Sequence, residues 1–264
     1  MSEADKPNVK QCCADFYGSD LARLLLGDSF HPGGVQLTER LGRLSGITAD
    51  FRVVDVASGR GTSAFHLATT FGCRVVGIDM SRDNVAAANA EAARRAMCGI
   101  VEFKVGDAER LPLNDHCFDA VFCECAFCTF PDKAAAAREF RRVLKPGGRL
   151  AISDLTRSTT PLADLDGLLS WVACIGDAQP IDSYIGIFTS AGFQIECTED
   201  HHQELTEMVR SIQGKLLGME LIAGLKSLGL PGIDFTTAKG FARAAQDAIN
   251  AKVLGYWLLA GASK

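Results

Sequence analysis

The chain reads as an α/β protein built on a doubly wound parallel sheet, and two observations predict it. Short β-branched runs alternate with amphipathic helical segments through the first 155 or so residues, the pattern of parallel strands joined by right-handed crossovers. A glycine-rich turn joins the first such run to the first helix after it: Val53 to Ala64 reads VVDVASGRGTSA, and Asp79 follows eighteen residues after Gly61. A sheet of this kind receives ligands at the carboxyl ends of its strands.

Candidate strands cover 52–56, 73–78, 100–105, 118–123 and 149–153, separated by helical segments near 61–71, 81–97 and 132–144. In the first turn, Gly59 and Gly61 remove side chains where the backbone bends sharply and where a ligand approaches the main chain. Ser81, directly after the second strand, is the expected N-cap of the next helix. Residues 140–150, FRRVLKPGGRL, end a helix and turn tightly into the fifth strand. After Asp154 the pattern changes. Residues 160–176 and 182–191 read as helix, Phe193–Thr198 as a sixth strand, and 201–228 and 236–250 as further helix. Tyr256–Gly261, YWLLAG, closes the chain as a last strand. No repeat, low-complexity tract or linker interrupts this order, so residues 1–264 are read as a single domain.

Composition narrows the class. The 264 residues are 47% hydrophobic and 22% charged, ordinary for a globular protein with a large core. A net charge of −5 argues against a nucleic-acid surface, which needs a basic stripe. No stretch approaches the ~20 apolar residues of a membrane span, and the polar start, MSEADKPNVKQCCAD, lacks the apolar core of a signal peptide. The expectation is a cytoplasmic protein with neither nucleic acid nor membrane as partner, whose ten cysteines stay reduced.

The glycine turn points to a nucleoside. An acidic residue about 20 positions beyond it, at the end of the second strand, is placed to accept hydrogen bonds from ribose hydroxyls, and Asp79 stands there. Gly59-Arg60-Gly61-Thr62-Ser63-Ala64 also fits the dinucleotide fingerprint, so the loop alone leaves NAD or FAD open. Three features shift the balance. Asp55, just before the turn, would repel a pyrophosphate but attract an ammonium group. Gly106-Asp107-Ala108-Glu109-Arg110-Leu111-Pro112 follows the third strand and brings a carboxylate toward a base. The FRRVLKPGGRL segment comes next.

Together these four segments resemble the class I S-adenosylmethionine-dependent methyltransferases, over roughly residues 50 to 155. The resemblance implies a seven-stranded sheet, six strands parallel and the last antiparallel, with helical lid elements at both ends of the chain. Residues 1–50 would form the N-terminal lid, 51–155 the cofactor core, and 156–264 the acceptor-side helices and final strands. It implies S-adenosyl-L-methionine as the methyl donor, with Asp55, Ala57, Gly59 and Gly61 along its methionine portion and Asp79 on the ribose. Met80 would lie beside the adenine, Asp107 and Ala108 at its edge, and Cys123 in the same cofactor shell. Ala57 stands where the family usually has glycine, which predicts a slightly shifted loop. An NAD-dependent oxidoreductase is the weaker reading, since no hydride-transfer site accompanies the loop.

The cysteines carry the acceptor question. For Cys73, Cys98 and Cys117, on or near strands, packing is the better explanation. Phe122-Cys123-Glu124-Cys125-Ala126-Phe127-Cys128 lies at the carboxyl end of the fourth strand, and period-two alternation puts Cys123 and Cys125 on one face if the strand continues that far. A closed zinc site at Cys125-x-x-Cys128 needs a second close pair, which only Cys12-Cys13 offers, so no metal site is expected. Plain packing of this cluster remains the alternative. The segment from Cys123 to Ile152 also resembles the arsenite methyltransferase branch, and the motifs are similar to quinone C-methyltransferases. Trp171 to Ala178, WVACIGDA, resembles the stretch bearing an arsenic-binding cysteine of that branch, which singles out Cys174. Cys12 and Cys13 correspond to its N-terminal pair, although here they precede Tyr17-Gly18, and Cys197 is the one candidate for its later cysteine.

The expected catalytic thiols are therefore Cys174, Cys13, Cys12 and Cys125, acting on arsenite or a similar metalloid, alone or as a thiol conjugate. Soft thiolates suit such a centre, whose lone pair carries no proton and needs no base. A quinone-type or other small carbon or oxygen acceptor is the alternative, and a non-catalytic adenosylmethionine-binding domain the remote one. His31 either lines the cofactor pocket or serves a structural turn, and His201-His202 is read as a solvated helix start. Tyr17 and Trp171 either bracket an acceptor or anchor the core.

Overall fold

The computed structural model describes residues 17, 22, 24, 25, 27, 29–160, 174–226 and 234–264. The elements follow as α1 (Gly34–Leu44), β1 (Arg52–Val56), α2 (Thr62–Phe71), β2 (Arg74–Asp79), α3 (Arg82–Arg94), β3 (Val101–Val105) and β4 (Phe118–Glu124). A short 3-10 turn, Phe127–Thr129, precedes α4 (Lys133–Val143), β5 (Leu144–Arg157), α5 (Ile181–Ser190), β6 (Phe193–Asp200), α6 (His202–Lys226), α7 (Phe235–Asn250) and β7 (Leu254–Ser263).

The seven strands form one sheet in the order β3-β2-β1-β4-β5-β7-β6. Strands β1 to β5 pair in parallel, and β7 runs antiparallel to both β5 and β6. The chain winds outward from β1 to β3, then returns to place β4 on the other side of β1. That reversal opens a crevice between the carboxyl ends of β1 and β4. The central strands are apolar throughout because both faces are covered: Val53, Val54, Ala120, Val121 and Phe122 are fully buried.

Local chemistry sets the helix starts. The Ser81 hydroxyl accepts from the Asn84 N–H at 3.2 Å, as its position predicts, and Asp132 accepts from the Ala135 N–H at 2.8 Å. Gly61 starts α2 with φ 86°, and a Cβ there would stand 2.4 Å from the Phe103 ring, so both backbone and packing require glycine. Under the β4 end, Phe127 stacks on Phe188 at 4.7 Å and meets Tyr184 edge-on at 5.5 Å, which fastens the segment after β4 to α5.

Two expectations need correction. The helix expected over 160–176 does not reach its end: residues 174–178 form a turn, and Cys174 has φ 63°. Residue 160 is in a bend, and residues 161–173, with Trp171, lie outside the described residues, as do Cys12 and Cys13. The alternation argument for Cys123 and Cys125 also fails. Strand β4 stops at Glu124, and Cys125 enters the left-handed region with φ 50°, turning the chain out of the sheet.

Candidate active site

A cavity of about 780 Å³ opens at the carboxyl ends of β1, β2 and β4. Its two ends are built differently. The first comes from the contiguous glycine turn and the tips of β1 to β3. Asp55, Ala57, Gly59, Asp79, Met80, Asp107 and Ala108 all line it, as the sequence predicts. Gly61 sits just behind as the α2 cap. Ala57 keeps φ 60°, the conformation a glycine would adopt freely, so the methyl group costs some backbone strain while the turn stays intact.

Asp79 organises the turn. Its carboxylate accepts from the Gly59 N–H at 2.8 Å and from the Ser81 N–H at 2.8 Å, clamping the glycine loop to the start of α3. Burial raises its pKa, and these hydrogen bonds partly offset that rise. Asp55 is 2% exposed, and one of its carboxylate oxygens has no partner. Burial first, then the nearby Glu124 and Asp79 carboxylates, push its pKa well above the ordinary 3.8. A buried, half-satisfied carboxylate on a cavity wall calls for a cation, and an ammonium group answers it. At Gly59 an added Cβ would meet open space, leaving the main chain accessible. These residues fit the amino-acid and ribose portions of S-adenosylmethionine.

The second end gathers residues from distant parts of the chain. Glu124, at the tip of β4, accepts from Ser63 at 2.6 Å, from Thr38 at 3.0 Å and from Ser153 at 3.3 Å. His31 Nε2 lies 3.5 Å from the same carboxylate, and both residues line the cavity. His31 thus belongs to the pocket. The sequence reading missed Glu124; its one signal is a lone acidic residue closing an apolar strand.

Beside this hub stand three thiols. Cys125 lines the cavity, and Cys174 lies behind it, 2% exposed, with its sulfur 3.5 Å from the Cys125 carbonyl oxygen. The Tyr17 hydroxyl, also on the cavity wall, is 3.0 Å from the Cys174 sulfur. The thiols of Cys125 and Cys128, helped by Tyr17, hold the Cys174 pKa well below the usual range despite burial. The pKa values of Cys125, Cys128 and Tyr17 rise correspondingly. Asp154 fixes the turn carrying Cys125 and Cys128 by accepting from the Ala126 and Cys128 N–H groups at 3.1 Å each. The buried Lys133 ammonium pairs with Asp177 and holds the Cys174 loop against α4.

Other expected residues lie elsewhere. Cys123 is fully buried within β4 and does not line the cavity, so it is a packing residue and not part of a cofactor shell. Cys73 is buried as expected, whereas Cys98 is exposed in the turn before β3 and Cys117 is half-buried. Cys197 sits on β6, away from the cavity wall. The eight described cysteines are free thiols. Among the described residues, no group of three or more His, Cys, Asp or Glu side chains is arranged to hold a metal ion. No helix among them is long and apolar enough to cross a membrane. His201 opens α6 paired with Glu199 and Glu204.

Comparison with known proteins points to a methyltransferase. A family described as a methyltransferase domain matches residues 54–152. The chain is 31% identical over 201 residues to 27-O-demethylrifamycin SV methyltransferase from Amycolatopsis mediterranei (strain S699), covering 70% of this chain and 74% of that one. It is 30% identical over 179 residues to phosphoethanolamine N-methyltransferase from Triticum aestivum, covering 67% of this chain and 35% of that protein. Its fold matches geranyl diphosphate C-methyltransferase from Streptomyces coelicolor A3(2), solved with Mg2+, geranyl diphosphate and S-adenosyl-L-homocysteine. There the TM-score is 0.75 at 16% identity, over 97% of this chain and 98% of that one.

Proposed function

The chain belongs to the S-adenosylmethionine-dependent methyltransferases, and within that family we propose that it methylates a small acceptor held by cysteine thiolates, arsenite or a similar metalloid. The carrying observation is Cys174, whose sulfur is in contact with Tyr17 and with the main chain of Cys125 at the cavity wall. S-Adenosylmethionine supplies an electrophilic methyl group on a sulfonium, and the loop of Asp55, Gly59 and Asp79 is built to hold it. Cys125 and Cys174 provide two soft ligands, which suits a thiophilic centre. A third sulfur would arrive as a small thiol bound to the acceptor. Cys12 and Cys13 remain candidate ligands from outside those residues. The chain's task is then to hold the acceptor's lone pair in line with the methyl carbon and to keep water out.

The test is turnover of labelled adenosylmethionine with arsenite and excess small thiol. Cys174→Ser should lower methylated arsenic at least ~100-fold, as loss of an aligned ligand does, while adenosylmethionine binding is unchanged. Serine is close in size but offers a hard, protonated oxygen. Wild-type rates in Cys174→Ser would overturn the thiol assignment.

A further inference from the structure

Glu124 takes no part in holding a thiol-bound acceptor, yet it lines the cavity with a side chain only 4% exposed. Among the described residues its carboxylate is met by three hydroxyls and by His31, all from other parts of the chain. A carboxylate only accepts, and hydrogen bonds made to one are among the stronger kind. Ser153, on β5, donates to Oε1 and is itself held by the buried Tyr256 hydroxyl at 2.8 Å. That side of the carboxylate is tied to the sheet. The other oxygen, Oε2, accepts from Ser63 at 2.6 Å and from Thr38 at 3.0 Å. Ser63 stands in the first turn of α2, just beyond Gly61, and lines the cavity. Thr38 is fully buried on α1, the helix that follows the Ser29–His31 part of the cavity wall. One oxygen thus receives both the helix of the glycine turn and the helix of the N-terminal wall.

We propose that Glu124 is a positioning residue that couples the N-terminal wall to the glycine turn, so that Thr38 on its oxygen strengthens S-adenosylmethionine binding and the bound cofactor firms α1. This inference rests on cofactor binding at the turn and not on the thiol-held acceptor. Because Oε2 is shared, a shift of Ser63 alters the bond open to Thr38, and the reverse. Coupling of this kind is a free energy that acts equally in both directions. Thr38 is not itself on the cavity wall, so its hydroxyl acts on the turn through Glu124. The close apolar contact of α1 with α2 lies at the other end of α2, where Gly42 meets the Phe71 ring. The Glu124 charge also acts on Asp55 of β1, so replacing Glu124 would change two things at once. Hydroxyl variants leave that charge in place and isolate the link. A second tie of α1, the Arg40–Glu199 pair to β6, does not touch Glu124 and serves as the comparison.

The experiment uses the full-length protein and measures adenosylhomocysteine affinity by calorimetry, with hydrogen exchange of the α1 and α2 amides in its presence and absence. Thr38→Val should weaken binding about 5-fold or more, the lower range of measured couplings. Thr38→Ser keeps the hydroxyl and should restore the wild-type affinity, and Arg40→Gln should stay within twofold of it. Ser63→Ala should also weaken binding, and adding Thr38→Val to it should cost nothing further, since one link can be lost only once. In wild type the ligand should slow exchange in both helices. In Thr38→Val the slowing should persist in α2 and vanish from α1. Wild-type affinity in Thr38→Val overturns the inference, as does an equal loss in Thr38→Ser or a full multiplication of the two losses in the double variant. If Thr38→Val does not fold, Ser63→Ala carries the test, and ligand-slowed exchange retained in its α1 overturns the inference. Arsenite turnover enters none of these readouts, so the failure of either reading leaves the other standing.

Discussion

The two ends of the cavity differ in how the chain assembles them. The cofactor end is local: Asp55, Gly59, Gly61 and Asp79 lie within one strand-turn-helix-strand unit, tied together by a hydrogen bond from Gly59 to Asp79. The other end draws Tyr17, His31, Glu124 and Cys125 from across the chain, with Cys174 behind them, brought together by the switch point and by an aromatic cluster beneath it. A local unit fixes its geometry by backbone requirement, so few residue types serve. A site gathered from distant segments can exchange side chains without disturbing the sheet, which lets one fold serve different acceptors.

The largest effect should come from breaking the local end. Gly61→Ala would force a left-handed alanine and drive its methyl into Phe103. The backbone term is on the order of 1–2 kcal/mol and the overpacking a further ~1–3 kcal/mol. The denaturation midpoint should fall markedly, and adenosylmethionine binding should weaken at least ~10-fold as the loop shifts. An unchanged midpoint would show that the turn is not the rigid element described.

The same contrast explains what was legible. Strand β1 and the tips of β2 and β4 fall within a residue of expectation because β-branched runs meet glycine or acidic breaks there. Asp55 and Asp79 were readable because a contiguous motif carries its own spacing. Glu124 was not, because its partners Thr38, Ser63 and Ser153 adjoin it only after the sheet forms. The Cys123–Cys125 pairing failed for a related reason. Alternation holds only while the strand lasts, and Asp154 captures the following turn through a contact 28 residues away in sequence.

A pH experiment sharpens the comparison further. Burial raises the pKa of Asp154 from 3.8 to about 7, and raises Asp55 and Asp79 as well. The folded protein thus keeps these protons at pH values where the unfolded chain has lost them. Their contribution to stability is complete below about pH 4 and is lost as pH rises through the folded values, at up to ~1.4 kcal/mol per pH unit for each group. Between pH 5 and 7.5 the free protein should lose stability as pH rises. Saturating adenosylmethionine should remove the part due to Asp55, whose charged form its ammonium group favours, while the Asp154 part remains. Asp154→Asn should show the reverse, with a flatter slope that still responds to the cofactor. Denaturant unfolding across that range measures both, and stability that is flat or rises with pH in the free protein would overturn the assignment.

The smallest effect marks the boundary between the two ends. Cys123 pairs with Ile152 inside the sheet, fully buried, one residue before Glu124 and two before Cys125. Its side chain packs in the buried core while Glu124 and Cys125 line the cavity, so Cys123→Ala should trim the core and leave the pocket alone. Removing one buried sulfur should cost about 1–2 kcal/mol of stability through lost contacts and a small void. Adenosylmethionine affinity and the rate with arsenite should stay within twofold, measured at a temperature where the variant is fully folded. A tenfold loss of cofactor affinity would mean that packing behind β4 reaches the glycine loop. The cofactor end would then depend on distant contacts as much as the other end does, and the separation between local and assembled halves would fail.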